Sequence, residues 1–137
     1  MVDQKNGAIL IGALKYRKSL ELAGTEEQMF MGVKRQTFWT NNTTLVVIMT
    51  DAGLDKLQAT KVAQMAQDGM ARTIRPAHTQ FDGDLIFALS VGTKPADLDT
   101  VGTAAAEVTA RAIINAAKSA QGLGGVPSYQ DIRNSVA

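Results

Sequence analysis

The chain has 137 residues, of which 45% are hydrophobic, and this size and composition are typical of one globular domain spanning residues 1–137. The 14 Lys and Arg residues nearly balance the 13 Asp and Glu residues, and the basic residues are scattered, which argues against nucleic-acid binding. The absence of cysteine excludes disulfides, thiolate metal sites and a cysteine nucleophile, and a single histidine excludes a poly-histidine metal site. We therefore predict neither a metal nor a cofactor.

The amino-terminal sequence MVDQKNGAILIG combines an acidic residue with a very short apolar run, so it lacks the features of a signal peptide. No apolar stretch approaches the roughly 20 residues that a membrane-spanning helix needs. These two observations predict a cytoplasmic protein without membrane contact.

The first third of the chain contains short apolar runs between polar segments. Gly7–Gly12 is typical of a buried strand or its end, AGTEEQMF of a loop followed by a helical turn, and QTFWT of a strand. The polar tetrad Asn41–Thr44 then leads into LVVIMT, Leu45–Thr50. Because that run does not alternate, we predict a central strand with both faces covered.

The next two elements are a long helix and a second apolar strand. Asp55 and Gln58 have capping-box spacing, and apolar residues then recur every three or four positions to about Ile74, before Pro76 ends the helix. Small residues on this helix would let it lie close to a sheet. After the loop PAHTQFDGD, the run Leu85–Val91 predicts the second strand.

An alanine-rich segment from about Val101 to Gln121 predicts a second long helix, which GLGG ends before a short tail with one helical turn. The order strand, helix, strand, helix fits two architectures. One is a βαβ unit of a parallel sheet, and the other is a layered α+β sandwich. Periodicity leaves both open.

Three polar features are candidates for chemistry: the hydroxyls of Thr43 and Thr44, the carboxylates of Asp82 and Asp84, and the loop residue His78. Each pair directly precedes an apolar strand. If the two strands are parallel neighbours, both pairs lie at one sheet edge, where hydroxyls and carboxylates can form a site. The structural alternatives are a threonine-rich strand start, an Asp-Gly turn and a surface histidine.

A threonine can act as a nucleophile without histidine when its own α-amine is the base, which requires it to be a chain terminus. An internal threonine acquires that amine when the preceding peptide bond is cut. Asn42–Thr43 is a plausible scissile bond, with Thr43 attacking the Asn42 carbonyl in an N-to-O acyl shift.

The segments NNTTLVVIMTDAGLDKLQATKVAQMAQDGMARTI and HTQFDGDLIFALSVG resemble the self-processing aminopeptidases of the L-aminopeptidase/D-esterase type. That family includes β-peptidyl aminopeptidases and nylon-oligomer endohydrolases, and two aspartates in the acidic motif place the chain nearer the latter branch. The resemblance implies a four-layer αββα sandwich of the α+β class. It implies Thr43 as the nucleophile, with Asp82 and Asp84 as the orienting carboxylates.

By the same resemblance, residues 1–42 are the end of the larger subunit and residues 43–137 are the nucleophile subunit after cleavage at Asn42–Thr43. Asp82 would bond the Thr43 amine or hydroxyl, and Asp84 would support Asp82 or a nearby cation. The substrates implied are short peptides with a free amino end, β-peptides or ω-amino-acid oligomers. His78 is expected near the site, in the loop.

The resemblance covers the C-terminal portion of the family's sequence, without the upstream residues that stabilise the oxyanion. We therefore expect a second chain to supply the N-terminal half of the fold, in an oligomer of processed heterodimers, and an uncovered apolar sheet surface without it. The alternative is a non-catalytic fragment that acts as a structural or regulatory subunit. A βαβ nucleotide-binding domain is disfavoured because no glycine-rich phosphate loop follows Thr50.

Overall fold

A computed structural model of the protein describes residues 1–16, 19–32 and 43–135. The described part of the chain is α+β. Its elements in chain order are α1 (Thr25–Phe30), β1 (Leu45–Ala52), α2 (Lys56–Thr73), β2 (Leu85–Lys94), α3 (Leu98–Ser119) and α4 (Tyr129–Asn134). None of the helices in these ranges combines the length and apolar character needed to cross a membrane.

The sheet consists of β1 and β2, which pair in parallel from Leu45 opposite Leu85 to Thr50 opposite Ser90. A bulge then shifts the register, so that Ala52 lies opposite Lys94. Since α2 connects the two parallel strands, β1, α2 and β2 form a βαβ unit. Both α2 and α3 pack together on one face of this sheet, so the described residues form a two-layer arrangement.

The core lies between the sheet and the two long helices. Met70 and Ala66 of α2 are fully buried, and they pack with Ile48 of β1 and Ile86 of β2. The buried residues of α3 that face this cluster are small or β-branched, which lets the helices approach closely. The complete buried cluster is Ile48, Val62, Ala66, Met70, Ile86, Ala105 and Ile113.

Side-chain caps determine where the long helices begin. Asp55 and Gln58 form the predicted capping box, with the Gln58 N–H donating to Asp55 Oδ1 over 2.8 Å, and α2 begins at the next residue. α3 begins at Leu98, three residues before the predicted start, because Asp97 accepts hydrogen bonds from the N–H and hydroxyl of Thr100. These hydrogen bonds also hold the pKa of Asp97 below its usual range.

Two predictions for individual elements are wrong. Gly7–Gly12 forms no strand: its contribution is one antiparallel bridge between Val2 and Ile9, and Ile9 is 40% exposed. β1 is not covered on both faces, since Leu45, Val47 and Met49 point away from the helices. The strand predicted for QTFWT lies outside the described residues.

The uncovered side of the sheet is strongly apolar. Since Val47 lies opposite Phe87 in the parallel register, alternate residues of the two strands share this side. We call it the open sheet face, and its side chains are between 46% and 68% exposed: Leu45, Val47, Met49, Leu85, Phe87, Leu89 and Val91. A continuous apolar surface of this kind marks an interaction site in soluble proteins.

Candidate active site

The parallel pairing brings the two predicted polar clusters together. Both precede their strands, and the amino-terminal ends of parallel strands lie at the same sheet edge. Asp84 Oδ1 accepts a hydrogen bond of 2.8 Å from the Thr44 N–H, and the Leu85 N–H donates to the Thr44 carbonyl oxygen over 3.0 Å. Two hydrogen bonds therefore hold the segment that carries the hydroxyls against the segment that carries the carboxylates.

The carboxylate of Asp84 is largely buried, because its side chain is only 7% exposed. Its second oxygen, Oδ2, lies 3.9 Å from Nδ1 of His78. A carboxylate with so little contact with water needs donors or cations around it. The Thr44 N–H is one such donor, and the His78 ring lies beside the other carboxylate oxygen.

Asp82 is held within its own loop. Its Oδ2 accepts hydrogen bonds of 2.9 Å from both the N–H and the hydroxyl of Thr79, and the Asp82 N–H donates back to the Thr79 carbonyl oxygen over 3.0 Å. This reciprocal pair closes a tight turn directly before β2. The predicted role of Asp82 as a partner of Thr43 stays a prediction, and its partner in the structure is Thr79.

Thr43 is exposed and lies one residue before the segment that is bonded to Asp84. Its hydroxyl lies against Gly83, the residue between the two aspartates, and the missing side chain of Gly83 leaves space for it. Asn42, on the other side of the predicted scissile bond, lies outside the described residues. The arrangement places the exposed Thr43 next to the glycine that lies between the two aspartates in the sequence.

The structure adds specific contacts for three residues in the loop before β2. His78 adopts a left-handed backbone conformation with φ of 56°, which is uncommon outside glycine and directs its ring to Asp84. Thr79 anchors Asp82, a partnership that their three-residue spacing could have indicated. Gly83 was explained as a turn residue, although its contact is with Thr43.

A metal centre finds no support in the ranges that the structure describes. Nowhere in them do three or more His, Asp or Glu side chains come together closely enough to hold an ion. The polar groups that the structure places at this edge are hydroxyl, carboxylate and imidazole groups.

Comparisons with known proteins identify the family of the chain. Residues 2–130 match the sequence profile of Peptidase family S58, and the chain belongs to that family. An uncharacterized aminopeptidase of Mycobacterium leprae (strain TN) is 44% identical over 64% of this chain, and one of Mycobacterium tuberculosis (strain H37Rv) is 42% identical over 66%. A 6-aminohexanoate-oligomer endohydrolase of Kocuria sp. (strain KY2) is 32% identical over 56% of the chain.

These relatives are much longer proteins. The matches cover 28%, 31% and 25% of their respective lengths, so the chain spans about a quarter to a third of each. Both aminopeptidases and an oligomer endohydrolase are thus among the relatives that the chain resembles.

Replacing Asp84 is expected to lower the free energy of unfolding as well as any activity. Asp84→Ala leaves the Thr44 N–H without its acceptor in a partly buried position, which should cost about 2 kcal/mol. Asp84→Asn retains one acceptor oxygen and should cost less. Urea unfolding measures both. Asp68→Ala removes a carboxylate from the exposed side of α2 and is the control; equal midpoints for Asp84→Ala and this control would contradict the assigned hydrogen bond.

Proposed function

We propose that this chain carries the nucleophile of a self-processing N-terminal-threonine amidohydrolase. The single observation that supports this most is the contact of the Thr43 segment with the Asp82–Asp84 segment at one sheet edge, where Thr44 bonds to Asp84. In a member of Peptidase family S58, a threonine hydroxyl beside carboxylates fits acyl transfer better than it fits an ordinary strand start.

Self-processing begins when the Thr43 hydroxyl attacks the carbonyl carbon of Asn42. The C–N bond breaks, an ester forms between Asn42 and the Thr43 oxygen, and the Thr43 nitrogen leaves as a free amine. Water then hydrolyses the ester, which releases Asn42 as a carboxylate and leaves residues 43–137 as the nucleophile subunit. The exposure of Thr43 supports this step, since both the attacking group and the water need access.

Catalysis uses the same hydroxyl with the new amine as its base. The neutral α-amine of Thr43 accepts the hydroxyl proton, the oxygen attacks the substrate amide, and the amine product leaves before water cleaves the acyl-enzyme. An ammonium at Thr43 would lie beside two carboxylates, which would stabilise its charged form. In this scheme Asp84 holds the Thr43–Thr44 backbone, and Asp82 acts either on the amine or through Thr79.

The substrates that we propose are short peptides with a free amino end, β-peptides and oligomers of ω-amino acids. The mycobacterial relatives are named aminopeptidases, and the Kocuria relative is named for 6-aminohexanoate oligomers. All of these substrates share an amide bond near a primary amine, and the acidic loop before β2 could attract that amine.

We further propose that a second polypeptide completes a four-layer αββα sandwich by covering the open sheet face. Seven large apolar side chains at 46% to 68% exposure support this, because leaving them in water is unfavourable. The oxyanion-stabilising donors would come from that partner, and the processed pairs would assemble into larger oligomers.

The test is to express the chain alone, and together with the part of the Mycobacterium leprae relative that lies outside its match to this chain. Intact-mass spectrometry of both samples over time should reveal a product that begins at Thr43 and a second that ends at Asn42. The samples are then assayed on an amino-acid p-nitroanilide and on a 6-aminohexanoate oligomer, which separates aminopeptidase from endohydrolase activity.

One outcome of this test would contradict the proposal. A chain that keeps its full mass in both samples and hydrolyses neither substrate would refute self-processing. A complex with the partner polypeptide under those conditions would instead favour the alternative of a structural or regulatory subunit.

A further inference from the structure

We infer that Gly83 is a positioning residue for the nucleophile, which deepens the proposed function and rests on it. A Cβ atom built on Gly83 would lie 2.9 Å from the Thr43 hydroxyl oxygen, closer than side-chain carbons are found to approach other atoms. The next nearest atoms are the Cγ2 of Thr43 at 3.8 Å and its Cβ at 3.9 Å. The three nearest atoms that such a Cβ would meet, outside the neighbouring residues in the chain, therefore all belong to Thr43.

The backbone of Gly83 does not itself require glycine. Among the described glycines, those with left-handed φ values are Gly7, Gly24, Gly32, Gly124 and Gly125, and Gly83 is not one of them. An L-amino acid can thus adopt its conformation without backbone strain. What excludes a side chain at this position is the Thr43 hydroxyl, so the glycine is explained by the site and not by the turn.

The two backbones that carry Thr43 and Gly83 are fixed relative to each other. The Thr44 N–H bonds to the Asp84 side chain over 2.8 Å, and the Leu85 N–H bonds to the Thr44 carbonyl oxygen over 3.0 Å. A new methyl group at Gly83 therefore cannot be accommodated by separating the strands without breaking these hydrogen bonds. The easier response is rotation of the Thr43 side chain, which carries its hydroxyl away from its present place.

Rotation of this kind changes reactivity more than stability. Threonine has few favourable χ1 rotamers, so a displaced hydroxyl moves to a discrete new position more than 1 Å away. A displacement of about 1 Å between reacting atoms can cost roughly 100-fold in rate. Since the aspartates on both sides of Gly83 keep their own hydrogen bonds, the loss would come from the nucleophile alone.

The experiment compares Gly83→Ala with Gly12→Ala in the full chain, under the conditions in which the unsubstituted chain cleaves. Gly12 is the matched control because its added Cβ would meet one atom, Ile9 Cγ2, at an ordinary 3.9 Å. Two readouts are taken: the rate of cleavage at Asn42–Thr43, and the three-bond couplings of the Thr43 methyl carbon, which report χ1. We expect Gly83→Ala to cleave about 100-fold more slowly with a changed χ1, and Gly12→Ala to be unchanged in both.

If Gly83→Ala folds poorly, urea unfolding still tests the inference. If the clash is with the Thr43 hydroxyl, adding Thr43→Ala to the same chain should restore the urea midpoint of Thr43→Ala alone. A midpoint that stays low would overturn the inference, because the clash would then lie elsewhere. An unchanged χ1 together with a cleavage rate within about twofold of the unsubstituted chain would also overturn it.

The proposed function can fail separately. If the unsubstituted chain never cleaves, alone or with its partner, self-processing is refuted, and the χ1 couplings by themselves decide whether Gly83 positions the Thr43 hydroxyl. A shifted χ1 in Gly83→Ala would then support the inference that Gly83 positions the Thr43 hydroxyl, although self-processing is refuted. An unshifted χ1 would refute the positioning role as well.

Discussion

Replacing Thr43 with alanine is expected to abolish both self-cleavage and hydrolysis, lowering each rate by at least about 10³-fold. The substitution removes the one oxygen that attacks the carbonyl in both reactions. Because Thr43 is exposed, the free energy of unfolding should change by no more than about 0.5 kcal/mol. Intact-mass spectrometry and urea unfolding of the same sample measure the two effects together.

Thr44→Ala is the matched control, since it removes an adjacent hydroxyl of the same kind. The hydrogen bond to Asp84 comes from the Thr44 backbone N–H, which alanine retains, so cleavage at Asn42–Thr43 should continue. A Thr43→Ala chain that still yields a fragment beginning at residue 43 would rule out this nucleophile. Loss of cleavage in Thr44→Ala with retention in Thr43→Ala would move the assignment to Thr44.

Gly69→Ala is expected to destabilise the protein by about 3 kcal/mol, against the usual direction for this substitution. In a helix interior, alanine is normally the more stable residue by about 0.5–1 kcal/mol. Here an added Cβ would lie far inside contact distance of the Ala106 carbonyl oxygen and 2.9 Å from Thr109 Cβ. Because the obstacle is the backbone of α3, the two core helices would have to separate.

Gly102→Ala tests whether the nature of the obstacle matters. Its added Cβ would lie closest to the sulfur and terminal methyl of Met65, the flexible end of a side chain that can rotate away, and 3.2 Å from the Cβ of Met65. We expect the free energy of unfolding to fall by much less, about 1 kcal/mol, as measured by urea unfolding. Equal losses of unfolding free energy for Gly69→Ala and Gly102→Ala would contradict this explanation, because the cost would then not depend on whether the added Cβ meets the α3 backbone or a flexible side chain.

Helices whose ends are marked by residues close together in the sequence could be predicted well. The α2 helix begins at Lys56 after its Asp55–Gln58 capping box, because both hydrogen bonds join residues three positions apart. Its end at Thr73 is close to the predicted Ile74. The start of α3 was placed three residues late because the Asp97 cap was not recognised as one.

The residues of the candidate site could be proposed from the sequence, whereas their arrangement in space could be predicted only in part. Thr43, Asp82 and Asp84 belong to polar clusters that precede apolar strands, and the resemblance to self-processing aminopeptidases assigns them their roles. Their proximity depends on the parallel register, which joins residues 40 positions apart in the Thr44–Asp84 hydrogen bond. The partner of Asp82 could not be foreseen, because the chain turns back at Thr79 before β2 begins.

The sequence by itself determined the types of the main elements and most of their ends, since these follow from short-range spacing and residue type. The chemistry assigned to Thr43, Asp82 and Asp84 stays a prediction. Only the tertiary structure decided three further matters. It placed the Asp84 carboxylate within hydrogen-bond distance of the Thr44 N–H. It packed Gly69 of α2 against α3 and not against the sheet, and it left Val47 and its neighbours exposed on the open sheet face. All three depend on strand register and helix packing, which join residues far apart along the chain.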